Sequence, residues 1–261
     1  MSATKIRDEL MLNCTPRTVR RAMNKYVDIY CFKPAVRNKL IQLHKNLRVE
    51  FAQRYLHLTE EEWRRTVFID EKVFSTHKDG RVLVWRPKNT RYEEKYILPR
   101  SWSGRATKCF FGWVCGYTPG ALVPVDRKLN SEGYVDLLED VFVPTINQVF
   151  GNQCAINVIE DNCAIHTAHI VRNWWRDDSR FNRLELPPRS PEINIIEVNV
   201  WAEMVREWRP TMATTEAQLI ARVEQTWESL RNNLEYFQKL TDSIPRRLQK
   251  IIDKNGSGIR Y

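Results

Sequence analysis

The six cysteines of this 261-residue chain never form a C-x-x-C pair, which argues against a zinc finger. Cys14, Cys31, Cys109, Cys115, Cys154 and Cys163 are scattered. No signal-peptide pattern opens the chain, so a disulfide framework is not expected, and the six read as free thiols of a reducing compartment. Long hydrophobic runs are missing too. The nearest, CFFGWVCGY, is broken by Gly112 and Gly116 and is far too short to span a bilayer as a helix, so no membrane partner is expected. There is no G-x-S-x-G elbow, no phosphate-binding Gly loop, no internal repeat and no low-complexity tract. These absences set aside disulfide-stapled secreted domains, helical membrane proteins and the commonest hydrolase and nucleotide-binding motifs.

What is present is globular. Hydrophobic residues make up 43% of the chain, with Trp, Tyr and Phe all plentiful, a composition that can bury a core. The length suits one large domain and one small one. Lys and Arg number 41 against 32 Asp and Glu, a formal charge of +9. A basic surface of this kind favours polyanions, nucleic acid first.

The first thirty residues read as two helices. Thr4 is a cap candidate for a helix through IRDELML, and LNCT reads as a turn. Thr15 then caps a second helix with Pro16 at its first position. In RTVRRAMNKY, Val19, Ala22, Met23 and Tyr26 form an apolar stripe, and Arg17, Arg20, Arg21, Asn24 and Lys25 cover the remaining surface. Helix, short turn and basic helix is the pattern of a helix-turn-helix, whose second helix would contact double-stranded DNA. The alternative is an amphipathic hairpin with a solvated charged face. Residues 31–62 read as a basic linker and connecting helix, with a break at Lys33-Pro34 and phosphate contacts expected from Lys and Arg along 37–54.

From Trp63 the pattern changes. RTVFIDEKVF, VLVWR, ATKCFFGWVCGY and ALVPVD are rich in β-formers, punctuated by Gly and Pro. SEGYVDLLEDVFVPTINQVF reads as a helix with Ser131 as its cap. CAINVIED is a buried strand, TAHIVRNWW a helix, FNRLEL a short strand, PPRSPEIN a turn and IIEVNVWAEMVREW a helix. This order predicts an α/β domain with a mixed sheet over 63–210. The extension 211–261 reads as helical from Thr214. Leu219, Val223, Trp227, Leu230, Leu234 and Phe237 form its apolar stripe, a packing surface without chemistry of its own.

Three acids stand where acids are costly. Asp70 lies inside an apolar strand, Asp161 ends another, and Glu197 opens a helix. A carboxylate among apolar β-residues needs a partner. For several converging carboxylates that partner is a hard divalent cation such as Mg²⁺, which takes oxygen ligands and completes its shell with water and phosphate oxygens. Two such ions suit in-line phosphoryl transfer. Singly, each acid has an ordinary alternative: a salt bridge for Asp70, or a helix cap for Asp161 or Asn162. Glu71 and Glu160 point to the opposite face from their neighbours by strand alternation and are weaker candidates. His166 and His169 would make a zinc site only with a third ligand such as Cys163. His166 is better placed to orient a phosphate or an acid.

FIDEKVF, VIEDNCAIHTA and LPPRSPEINIIEVNVWAEM together resemble the three acidic blocks of Tc/mariner-superfamily DDE transposases. The family pattern is roughly D-E in the first strand, D-N-x-x-x-H at the second acid and S-P-D-L-N-P-I-E-N-x-W at the third. Lys33-Pro34, RVEFA at 48–52, Trp63 and the tail SIPRRLQKIIDKNGSGIRY extend the likeness over nearly the whole chain. The resemblance implies an RNase H-like core in which Asp70, Asp161 and Glu197 are the catalytic, metal-binding triad, with Asn162 and His166 as secondary candidates. Thirty-five residues, 162 through 196, separate the second and third acids, close to the family's spacing. The implied cofactor is a pair of Mg²⁺ or Mn²⁺ ions. The implied reaction is attack of water on a phosphodiester at the transposon end, then attack of the freed 3′-hydroxyl on target DNA at a TA dinucleotide. The implied assembly is a homodimer on paired terminal repeats, working in the nucleus.

Three departures from the family pattern carry expectations. The chain begins at what resembles the second of two helix-turn-helix units, so an N-terminally truncated copy is expected. The third block has one residue more between Glu197 and Trp201 than the family, and an extra residue turns the remainder of an α-helix by about 100°. Glu192 and Ile195 stand where the family has Asp and Pro. A transposon-derived DNA-binding protein whose catalysis has lapsed is therefore the alternative to an active enzyme. Another RNase H-like nuclease fits the triad but not the flanking blocks.

Overall fold

Alternate residues of a strand face opposite sides of its sheet, and VFIDEKVFS obeys that period. In the computed structural model it forms β1 (Val67–Ser75), the central strand of a five-stranded sheet ordered β3-β2-β1-β4-β5. The described residues are 3–27, 40–76, 93, 106–126, 128–151, 155–206 and 215–259. β2 (Thr107–Val114) and β3 (Pro119–Val125) continue the sheet antiparallel on one side; β4 (Ile156–Ile159) and β5 (Phe181–Arg183) continue it parallel on the other. This is the mixed sheet of the expected α/β class. The expected strand VLVWR and the Lys33-Pro34 break lie outside the described residues.

Each face of the sheet carries its own core. Val67, Ile69, Phe111, Trp113 and Val158 pack against α5 (Ser131–Leu137), a π-helical turn (Leu138–Phe142), α6 (Val143–Phe150) and α7 (His169–Asp177). Phe68, Phe74, Phe110 and Val114 face the other way. Their partners come from α3 (Gln42–Tyr55), α4 (Glu60–Arg65), a second π-turn (Ile196–Val200) running into α8 (Trp201–Arg206), α9 (Glu216–Arg231), α10 (Leu234–Asp242) and α11 (Ile244–Asp253).

Several local expectations need correcting. The cap of α5 is Asn130, whose Oδ1 accepts from the Gly133 amide at 2.9 Å, rather than Ser131. Neither Asp161 nor Asn162 caps α7; the cap position is Ala168, which offers no side-chain cap. The tail is three helices, not one stripe. It breaks at Asn232-Asn233, and Leu234 is exposed while Leu219, Val223, Trp227 and Phe237 are buried.

The chain divides into two compact units, residues 1–39 and 40–261. The sequence reading placed 31–62 in a linker, but α3 belongs to the larger unit and packs on α11. Its Arg48 is fully buried and cannot meet a phosphate. The guanidinium donates to the Gly256 carbonyl at 2.8 Å, to the Arg189 carbonyl at 3.0 Å and to Ser190 Oγ at 2.8 Å, and it pairs with Glu192. Gly256, at φ +75°, brings its backbone so close to α3 that a Cβ there would lie 2.2 Å from the Lys45 carbonyl oxygen. Glu192, at the position of the family's Asp, is thus a structural anchor of the third acidic block.

In the smaller unit, α1 (Ala3–Glu9) contains Thr4 rather than being capped by it, and α2 spans Pro16–Tyr26. Thr15 does cap α2, accepting from the Thr18 amide at 3.2 Å, with Pro16 in the first turn. Of the expected stripe Val19 is buried and Met23 half-buried, whereas Ala22 and Tyr26 are exposed.

Candidate active site

The parallel register pairs Val67 with Val158 and Phe68 with Ile159. Two residues further on, the same register sets Asp161 level with Asp70. Asp161 lies just past the end of β4, where the chain leaves the sheet and a carboxylate no longer has to sit between strands.

Asp70 is on the face of Phe68, with only 8% of its surface exposed. Its Oδ2 accepts from the Trp201 indole Nε1 at 2.7 Å. Burial pushes its carboxyl up to about 8; the Trp201 bond opposes this, and the charges of Glu71, Glu197 and Asp161 add to it. Asp70 pairs across β1–β2 with Gly112. A Cβ on that glycine would come within 2.9 Å of Trp201 Cη2, so the glycine opens the slot through which the indole reaches the acid.

Asp161 is held by its own loop. Its Oδ1 accepts from the Cys163 amide at 3.0 Å and lies 2.7 Å from His166 Nδ1. Burial would raise its carboxyl, but the His166 and Cys163 bonds outweigh that and leave it lowered. His166 is buried, its ring packs at a tilt against Tyr134 with centroids 4.4 Å apart, and its Nε2 lies 3.3 Å from Glu71 Oε2. Burial works against its positive charge, yet bonds to Asp161, Cys163 and Glu71, with the Glu160 charge behind them, raise its pKa. Glu71 and Glu160 do face away from Asp70, as alternation requires. They serve the far side instead: Glu160, fully buried, accepts from Tyr134 Oη at 2.7 Å and pairs with Arg183 Nε at 2.7 Å. Asn162 donates its side-chain amide to the Leu186 carbonyl.

Glu197 is solvent-accessible on the π-turn but crowded enough for desolvation, then Asp161 and Glu192, to raise its carboxyl against the pull of Lys72. The third block is tied to β1 by Asn194, whose Nδ2 donates to the Ile69 carbonyl at 3.3 Å. The extra residue does not rotate the helix out of register. The amide of Trp201 bonds the carbonyl of Ile196, five residues back. That π-turn takes up the insertion, and Trp201 and Met204 stay buried.

Asp161, Cys163 and His166 offer ligand atoms all within 4.8 Å of one another. His169 does not join them; its Nδ1 pairs with Asn173 Nδ2 at 3.0 Å. In the smaller unit, Arg17, Arg20, Arg21 and Lys25 are exposed along α2 and Asn24 is half-buried.

The model of the DDE superfamily endonuclease family matches residues 65–220, which contain all three acids. The Tcb1 transposase of Caenorhabditis briggsae is 30% identical over 247 residues, 94% of this chain and 88% of the relative. The chain belongs to the DDE superfamily, in its Tc/mariner transposase branch. It is accordingly an enzyme of the metal-dependent nuclease and transposase class. Among the solved structures that share its fold are two Mos1 complexes. The mariner Mos1 paired-end complex with Mg superposes with TM-score 0.79 at 14% identity, over 100% of this chain and 76% of that one. The Mos1 paired-end complex with left transposon end gives 0.77 at 13% identity, over 100% and 76%. The sheet described above is thus the RNase H-like core of this transposase family.

Against the family pattern, the sequence reading passed over Trp201, Gly112, Tyr134 and Arg183 as parts of the site. Trp201 had a visible signal, as the last letter of the third block. Gly112 is marked only by its register opposite Asp70, which needs the sheet.

Proposed function

We propose that this chain is a DNA transposase that cleaves transposon ends and joins the 3′-hydroxyl to target DNA. Asp70, Asp161 and Glu197 would hold two Mg²⁺ or Mn²⁺ ions. The observation that carries the reading is the placement of the acids: the parallel β1–β4 register runs on to Asp70 and Asp161, and Asn194 ties the block bearing Glu197 to β1 beside the buried Asp70, whose carboxyl the charges of Glu197 and Asp161 help to raise. Three oxygen donors that repel one another suit a hard divalent cation, which relieves that repulsion. Bound ions would activate the attacking oxygen and stabilise the leaving one. The chain's own residues do the rest. His166 holds Asp161 in place, Asn194 fixes the third block to β1, and α2 supplies Arg17, Arg20, Arg21, Asn24 and Lys25 to DNA.

The Mos1 neighbours, a paired-end complex with Mg and one with a left transposon end, support a homodimer on paired ends here. Insertion at TA and residence in the nucleus complete the proposal. The irregular third block, which favoured a lapsed DNA-binding protein, loses that weight once the π-turn takes up its extra residue.

The test is nicking of supercoiled plasmid with Mg²⁺ or Mn²⁺ by the full chain and by Asp161→Asn. Nicking by the first, reduced at least about a thousandfold in the second, is the expected result. A folded protein that shifts DNA but nicks in neither form would establish the DNA-binding alternative.

A further inference from the structure

We propose that Trp201 is a positioning residue for catalysis: its indole N–H fixes the Asp70 carboxylate so that one oxygen is held and the other is presented to the metal. The proposal rests on the reading of Asp70 as a metal ligand.

The indole is itself immobilised. Trp201 is 2% exposed, meets Phe74 edge-on at 5.8 Å and lies against Trp227 at 5.7 Å and 30°. Trp227 is anchored in turn, donating Nε1 to the Gly120 carbonyl at 3.0 Å. On the remaining side the indole faces Gly112, the register partner of Asp70, where any side chain would collide with it. Among the described residues the indole is the hydrogen-bond donor to Asp70, and it addresses Oδ2 alone. A carboxylate with one oxygen tied has lost most of its rotational freedom, so its other oxygen has a defined direction. Groups behind a metal ligand act in this way, orienting it and setting its affinity.

The insertion makes the case specific to this chain. Removing Val198 from I-I-E-V-N-V-W leaves I-I-E-N-V-W, the family spacing, so Val198 is the extra residue. An uncorrected insertion would swing the indole away from Asp70. The π-turn prevents that, and Asn199 within it is gripped by Arg247 of α11, Nη2 to Oδ1 at 3.0 Å. The same guanidinium donates to the Glu192 carbonyl at 2.8 Å. The C-terminal helices, expected only to pack, thus supply both the wall behind the indole and the clamp on the turn.

The test compares the full chain with Trp201→Phe and with benzothienylalanine at position 201, which keeps the ring shape and lacks the N–H. The first readout is the Mn²⁺ concentration giving half of the Mn²⁺-induced rise in Tm. The second is kcat and KM for plasmid nicking. Both variants should raise the Mn²⁺ midpoint about tenfold or more and lower kcat about 10- to 100-fold, with KM for DNA unchanged. Deletion of Val198 should leave the midpoint where it is, because an α-turn then does the work of the π-turn. If Trp201→Phe does not fold, the benzothienylalanine protein decides. A midpoint unchanged in that protein would overturn the proposal and leave Trp201 a core residue. Asp70→Asn separates the two readings. If it keeps the full Mn²⁺ shift, the triad assignment fails. If it abolishes the shift while the indole analogue changes nothing, only the role of Trp201 fails.

Discussion

Residues 1–39 and 40–261 carry opposite kinds of information. The first unit has nine Lys and Arg against three Asp and Glu; the second, almost six times longer, has 32 against 29. Two thirds of the net charge therefore sits in a unit whose described residues bury a single apolar side chain, Val19, while Leu10, Met11 and Tyr26 stand exposed. The larger unit buries two aromatic cores and uses its buried charges to fix its own backbone. The described residues of the smaller unit thus carry charge on their surface and little core. In the larger unit the buried polar groups hold the candidate site's segments and side chains in place.

The comparison is broken most forcefully inside the larger unit, at Arg48. Its guanidinium joins α3, the third acidic block and the C-terminal turn through Glu192, Arg189, Ser190 and Gly256. Arg48→Ala strands Glu192 as a buried, unpaired carboxylate, and losing one partner of such a pair costs about 3–5 kcal/mol. Chemical denaturation should show that loss. A change below about 1 kcal/mol would mean that the pair contributes no more than a surface ion pair.

Asp70 sharpens the same point through its dependence on pH. Burial pushes its folded carboxyl up to about 8 from an ordinary 3.8. Between those values the native state holds a proton that the unfolded chain has released. Stability therefore falls as pH rises through that window, and the penalty is complete above about 8. Asp70→Asn has no such proton to lose. Without divalent metal it should match the parent near pH 4 and exceed it at pH 9 by on the order of a few kcal/mol. Urea titrations at the two pH values measure the difference, and an equal gap at both would show that Asp70 carries no burial penalty. Added Mn²⁺ should narrow the gap at pH 9.

How much of this was legible depends on the range of the cause. The places of Asp70 within a strand and of Asp161 at the end of another could be read because a strand's two-residue period and its end are local features, and an acid there violates them. Thr15-Pro16 could be read for the same reason. Arg48 could not: nothing near it in sequence distinguishes a phosphate-binding arginine from one whose partners lie more than 140 residues away. The insertion at Val198 was visible as an irregularity, but its outcome was not. A one-residue excess can be relieved by rotation or by an i→i+5 turn, and here Trp201 against Asp70, Phe74 and Trp227 decides for the turn. The tail's apolar stripe ran on to Leu234 in sequence because spacing alone does not reveal the break at Asn232-Asn233 that leaves Leu234 exposed.

The mildest change tests the smaller unit. Arg20 is exposed on α2 beside Arg17 and Arg21, and no core depends on it. If α2 lies along DNA, Arg20→Ala removes one phosphate or base-edge contact. A phosphate contact releases about one counterion, so the slope of log K against log salt should shrink by about 1 and the affinity by about 1 kcal/mol, with Tm unchanged. A base-edge contact gives a different signature: the slope stays, and discrimination at one position of the bound sequence relaxes by about 1–3 kcal/mol. Both results keep α2 on the DNA and say which side of Arg20 does the work. An unchanged slope together with unchanged sequence preference would remove α2 from the interface. The +9 charge would then have to act through the larger unit, whose own balance of 32 against 29 leaves it little to act with.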